Sequence, residues 1–186
     1  MISDLRLPKF HTDDDRVRPA LEYLEDYKYK LDLQFQRLFF SMVGFSIFDP
    51  KVDSDSQQLD FECYMTILNR IARILELLNK YVNTLSLDRS QKNEWMLEYK
   101  RVKSILADVR IMRDSLDHYE DSLDPDSPTF IHSSKSVFRG FRISEENTWI
   151  WNHGNAKMEV SLVRKKEISN FIDFVFEFFK KIKVVR

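Results

Sequence analysis

Apolar positions recur along this chain at three- and four-residue spacing, and the phase breaks only at a few polar or proline-bearing stretches. Ala20, Leu24, Tyr27, Leu31, Phe35, Leu38, Met42 and Phe45 make the first series. On a 3.6-residue helix these positions form one stripe, which predicts a long amphipathic helix. The segment DPKVDSDSQ then interrupts, because Pro50 cannot continue a helix and the Asp/Ser run suits a loop and a new N-cap. A second helix is predicted from Phe61, Tyr64, Leu68, Ile71, Leu75, Leu78, Val82 and Leu85. After the break LSLDRSQ, a third carries Trp95, Tyr99, Val102, Leu106, Val109, Leu116 and Leu123, and Pro125 and Pro128 end it.

Beyond Pro128 the period changes. FRGFRIS, TWIWN and AKMEVSLV alternate in steps of two, with a tight turn at NHG before Asn155. This predicts two or three short antiparallel strands. From Arg164 the helical period returns in Ile168, Phe171, Ile172, Val175, Phe178, Phe179 and Ile182. No internal repeat or low-complexity linker divides the chain. The expected organisation is one domain over 1–186: an irregular lead-in at 1–17, three long helices over 18–124, strands within 137–163, and a closing helix at 164–184. The fold class is mainly α, an antiparallel helical bundle with a small C-terminal β-hairpin or sheet.

Composition agrees with long helices. The chain has 186 residues, 43% hydrophobic and 32% charged, with only 3 glycines and 5 prolines. That is enough chain for one core, and too little turn chemistry for an all-β fold. The net charge of -1 leaves any nucleic-acid contact to a local patch. The single cysteine, Cys63, rules out an internal disulfide framework; its place near the apolar side of the second helix reads as core. The opening MISDLRLPKFHTDDD lacks the apolar core of a signal peptide. LFFSMVGFSIF is roughly half the ~20 residues of a membrane span. The expectation is a cytoplasmic protein with no membrane partner.

One segment crowds polar chemistry onto a helix: RIMRDSLDHYEDSL, from Arg110 to Leu123. Arg113 lies 18 positions after Trp95, in the same angular phase, so it falls in the apolar stripe, where an arginine needs a partner. Asp117 is the local candidate. Asp114 and His118 are four apart on a different face, with Lys103, Ala107 and Ile111 along or near it. The helix therefore has two useful sides, one for the bundle and one, small and mixed, for a partner chain. Arg113 and His118 are about 140° apart on an ideal helix, so a site using both is more readily completed by a twofold-related copy.

The segment R-D-S-L-D-H, Arg113 to His118, resembles the R-x(4–6)-H signature of the HEPN superfamily, in which Asn, Asp or His commonly follows the arginine. The resemblance covers the helical body, roughly 18 to 130, in pattern. It implies a HEPN-like bundle and a homodimer whose two motifs meet in a cleft. It further implies a metal-independent endoribonuclease of toxin or defence type, with RNA as substrate, no cofactor, and a cognate inhibitor or antitoxin protein as partner. His118 would act as general acid/base on the 2′-hydroxyl or the leaving oxygen, a task that suits histidine because the ordinary imidazole pKa is near neutrality. Arg113 would hold the scissile phosphate and Asp114 would orient His118 or Arg113. The alternative within the resemblance is a non-catalytic dimerisation or protein-interaction module. The bland reading is an Arg113–Asp117 ion pair beside an exposed His118.

Asp117, Glu120, Asp121, Asp124 and Asp126 surround the motif and would repel RNA unless basic groups outweigh them. Arg139 and Arg142 are the candidates for substrate binding, with Lys165, Lys166, Lys180, Lys181, Lys183 and Arg186 further along; an ordinary solvated face is the simpler account of the lysines. Trp149 and Trp151 share a strand face and suit a hydrophobic seam better than base stacking. His11, His132 and His153 lack metal-ligand spacing. Glu94 and Glu98 have no Glu-x-x-His to complete a di-iron bundle.

Overall fold

The computed structural model describes residues 16–43, 50–117, 140–143, 149–153 and 156–182. Four helices dominate: α1 (Arg18–Val43), α2 (Pro50–Val82), α3 (Arg89–Asp117) and α4 (Leu162–Lys181). Three short strands, β1 (Gly140–Ile143), β2 (Trp149–His153) and β3 (Ala156–Val160), lie between α3 and α4 and pair antiparallel in the order β1-β2-β3. The protein is mainly helical.

Side-chain partners fix the helix directions. Gln34 of α1 donates to the Asp60 carboxylate of α2 at 3.1 Å and to its carbonyl at 3.0 Å, while Arg16, just before α1, sits over the Tyr81 ring near the end of α2. Late α1 therefore meets early α2. The Trp95 indole N–H of α3 donates to Asn79 near the end of α2 at 2.8 Å. Trp95 also meets Phe178 in the second half of α4, whereas Asp108, further along α3, meets Arg164 in the first turn of α4. Lys28 and Asp32 of α1 pair with Asp173 and Lys165 of α4, again in reversed order. The helices run up, down, up, down, the arrangement that short-range antiparallel packing favours.

The core follows the apolar stripes. Leu21, Leu24, Leu31, Phe35 and Leu38 of α1 meet Phe61, Tyr64, Leu68, Ile71, Leu75, Leu78 and Val82 of α2, all buried. Val102, Ile105, Leu106, Val109 and Met112 of α3 and the Phe-rich face of α4 complete it. Met158 and Val160, two apart on β3, are both buried, so one face of that strand closes the bundle.

Four sequence expectations change. α2 ends at Val82, so Leu85 lies beyond it, in the connection to α3. Residues 50–57 are helical, not a loop, and α2 begins at Pro50. Proline is compatible with the first helical position, where its missing N–H has no intrahelical acceptor to lose, and acids following it suit the positive end of the helix. Leu162 and Val163 belong to α4, not to a strand: Ser161 is the N-cap, extended at φ -143 and ψ 157, and its hydroxyl accepts from the Arg164 amide. Cys63 is exposed, because it lies a quarter-turn round from the Tyr64 side of the buried stripe. The start of α3 follows its local sequence: Asp88 accepts from the Gln91 amide at 2.8 Å, and Gln91 accepts from the Asp88 amide at 3.1 Å, a reciprocal capping box.

Candidate functional site

The C-terminal turns of α3 hold two of the three candidate catalytic residues, Arg113 and Asp114. Val109 and Met112 anchor these turns in the core with no exposed surface. Arg113 follows, half-buried and engaged with its surroundings, and Asp114 is exposed. Adjacent helical positions diverge by about 100°, so the arginine leans on the bundle edge while the aspartate faces out. Asp117 is the last residue of the helix. His118 and Arg139 lie outside the described residues, as does the side chain of Arg142, whose backbone sits in β1 opposite Ile150. The structure thus places Arg113 and Asp114 side by side on one helix; it does not describe the rest of the constellation.

Two of the other basic candidates are engaged. Lys165 pairs with Asp32, and Lys180 pairs with Glu177 at 2.7 Å. Lys166 and Lys181 are exposed. Lys183 and Arg186 lie outside the described residues. Of the two carboxylates weighed for a metal site, Glu94 is exposed and Glu98 accepts from Arg101 at 2.6 Å. Among the described residues no group of three or more His, Cys, Asp or Glu is arranged to hold a metal ion.

A polar junction that sequence reasoning missed lies about 8 Å further back along α3, by the helical rise. Arg164 donates to Asp108 of α3 at 2.7 Å and to Glu159 of β3 at 3.1 Å, while the Ser161 hydroxyl donates to the other Glu159 oxygen at 2.7 Å. Partial burial lowers the arginine's proton affinity, but the hydrogen bond to Asp108 and the charges of Glu159 and Asp108 outweigh it, and its pKa is raised. The guanidinium stays charged and ties α3, β3 and α4 together. Ser161 three positions before Arg164 is a readable cap signal, but nothing local links either to Asp108, 56 positions away. The arrangement is a clamp, with every group facing another group of the same chain.

The outer side of α3 is different. Met96, Lys100, Lys103, Ser104, Ala107, Ile111 and Asp114 are all exposed, Met96 by 65% and Ile111 by 58%. On a helix these seven span about 100° of arc, opposite the Trp95 stripe. This is the second face that the sequence pattern singled out, and no element among the described residues covers it.

No protein-family model, curated protein or solved structure matches the chain. No helix among the described residues is long and apolar enough to cross a membrane.

Proposed function

We propose that the chain is a HEPN-like helical bundle that serves as a dimerisation and protein-interaction module through the outer face of α3. One observation carries the reading: among the described residues, a continuous strip of that helix, mixed in chemistry and including a 58% exposed Ile111, is left exposed. Large apolar side chains within a polar helix face are what a partner surface needs at its centre, with charges at the rim. Solution mass by sedimentation tests it, together with Ile111→Glu. The native protein should be a dimer or capture a protein partner, and the variant should lose that association while keeping its helical content. A strict monomer that binds nothing would end the reading.

A second reading, a metal-independent endoribonuclease of toxin or defence type, rests on Arg113 and Asp114. A half-buried arginine beside an exposed aspartate, four residues before His118 in the sequence, is a cation next to a group able to orient an imidazole. In that reading His118 takes the proton of the RNA 2′-hydroxyl, whose oxygen attacks the adjacent phosphorus. The bond to the 5′-oxygen breaks, and a protonated His118 from a second copy returns a proton to it. Arg113 holds the phosphate, and the nucleophile is internal, so orientation supplies much of the rate. The test is a mixed RNA pool in excess EDTA, wild type against His118→Ala, with product ends identified. Ends bearing 2′,3′-cyclic phosphate that vanish in the variant establish the nuclease; an inert wild-type protein leaves the interaction module.

A further inference from the structure

Two contacts fix the relative height of α2 and α3 along their seam. The Trp95 indole N–H donates to Asn79 at 2.8 Å, and the charge of Glu76 acts on the Tyr99 phenol, about a turn further along each helix in opposite directions. By the helical rise, Leu77 of α2 and Met96 of α3 then stand level with each other to within about 2 Å. Leu77 is 58% exposed and Met96 65%. Both lie on the solvent side of the seam: Met96 is about 60° round α3 from Tyr99, and Leu77 about 100° round α2 from Glu76. Two large apolar side chains thus flank an open groove.

Cations stand on both sides of this pair along the groove. Arg73 of α2 and Lys103 of α3 lie about one to two turns toward one end, and Lys80 and Lys92 about one turn toward the other. All four are exposed. None is joined in an ion pair among the described residues, unlike Arg101, Arg164, Lys165 and Lys180. Glu76, also exposed, stands on the seam itself.

We propose that this groove docks an acidic amphipathic helix of another protein, with an apolar residue of that helix seated between Leu77 and Met96 and its carboxylates beside Arg73, Lys103, Lys80 and Lys92. An apolar centre with a charged rim is the pattern of a protein-binding surface. A third helix laid along the seam meets both walls at the spacing of about 8–10 Å that packed helices keep. The groove does not suit a copy of itself, because a twofold contact would set cations against cations. It does not suit a nucleic acid either: a phosphate backbone tracking the seam meets Glu76 and leaves Leu77 and Met96 without a partner. The inference does not rest on the interaction-module reading, whose Ile111 lies about 22 Å along α3 from Met96.

A display library of helical peptides with randomised surface positions, panned on the full chain, tests the groove. The enriched peptides should carry a large apolar residue with Asp or Glu about one turn before and after it. Leu77→Glu and Met96→Glu should each weaken the best peptide about tenfold or more in fluorescence anisotropy, with helical content kept. Added salt should weaken it too, because the rim charges are exposed. Arg73→Glu/Lys103→Glu should turn the preference toward the same peptide with lysine in place of its acids. Tyr29→Glu, on a 54% exposed position of α1, should change nothing. No enriched peptide, an enriched set without acids, or binding that ignores both Leu77→Glu and Met96→Glu overturns the proposal. Loss with Ile111→Glu and not with Leu77→Glu overturns it as well and leaves the module reading intact. Single-stranded RNA that binds through Arg73 and Lys103 more tightly than every peptide makes the groove a nucleic-acid surface and overturns the helix.

Discussion

Arg164 in the first turn of α4 donates to the Asp108 carboxylate of α3 at 2.7 Å, across 56 positions of sequence. The same guanidinium reaches Glu159 at 3.1 Å, at the end of the strand that leads into α4. The corner where the chain turns from strand to helix is therefore pinned to the helix that bears Arg113 and Asp114.

Removing the arginine leaves two carboxylates facing each other without their cation. Arg164→Ala should destabilise the fold by about 1–3 kcal/mol, read as a lower urea midpoint with an unchanged slope. The pair with Asp108 is only partly buried, at 27% and 38% side-chain exposure, so solvent screening limits its share. A double-mutant cycle with Asp108→Ala should give a coupling of about 1 kcal/mol or less. A coupling well above that would mean that the corner acts as one cooperative unit.

Trp95 is 1% exposed and touches Phe171, Phe174, Phe178 and Phe179, with the closest ring centroid, that of Phe178, at 4.9 Å. Its indole N–H is satisfied by Asn79. Trp95→Ala opens a cavity among these rings and should cost about 3–5 kcal/mol in chemical denaturation, while Trp95→Phe should cost less. Asn79→Ala orphans the indole donor and should cost about 1–2 kcal/mol. If Trp95→Ala melts within a degree or two of wild type, the packing of α3 on α4 has been misjudged.

The Tyr64 phenol is fully buried, and burial pushes its pKa up from the ordinary value of 10.0, against a small opposing effect of Arg164. Burial raises Tyr99 in the same direction, with a further push from the charge of Glu76. The charged form here is the deprotonated one. The folded state therefore keeps protons that the unfolded chain releases, and the stability from these groups is full below about pH 10 and declines as pH rises above it. Tyr64 contributes a loss of up to about 1.4 kcal/mol per pH unit, and the more exposed Tyr99 less, because solvent screens it. Urea midpoints between pH 9 and 11.5 should fall, and Tyr64→Phe should flatten that fall. An identical alkaline slope in the variant would show that other groups drive it.

Much of the helical body was legible in the order of residues. Phe61, Tyr64, Leu68, Ile71, Leu75, Leu78 and Val82, which periodicity picked out, are all buried in α2 and are joined by Met65 and Ala72, because a helix in contact with a core on one side must repeat its apolar residues at the helical period. The stripe of α3 and the Phe-rich face of α4 were equally readable. So was the second face of α3, since polar and small residues at that phase have no core to meet. Local signals fell short where two of them competed. Pro50 and the acids after it read as a break, yet the same residues fit a helix start, and local signals alone do not choose between the two. Cys63 went the same way, a residue near the edge of a stripe whose exposure is decided by how wide the neighbouring helix is.

Sequence by itself determined the helical period, the facing of each stripe, and the concentration of Arg113, Asp114 and His118 within six residues of chain. Tertiary structure alone decided which helix lies beside which. It made partners of Asp108 and Arg164, of Lys28 and Asp173, and of Asp32 and Lys165, and it engaged lysines that the sequence left available for RNA. The reason is physical. A helix's period and its caps depend on residues within a turn or two of one another, whereas a partner for a charged side chain is whatever the packing of distant stripes happens to bring within about 3 Å.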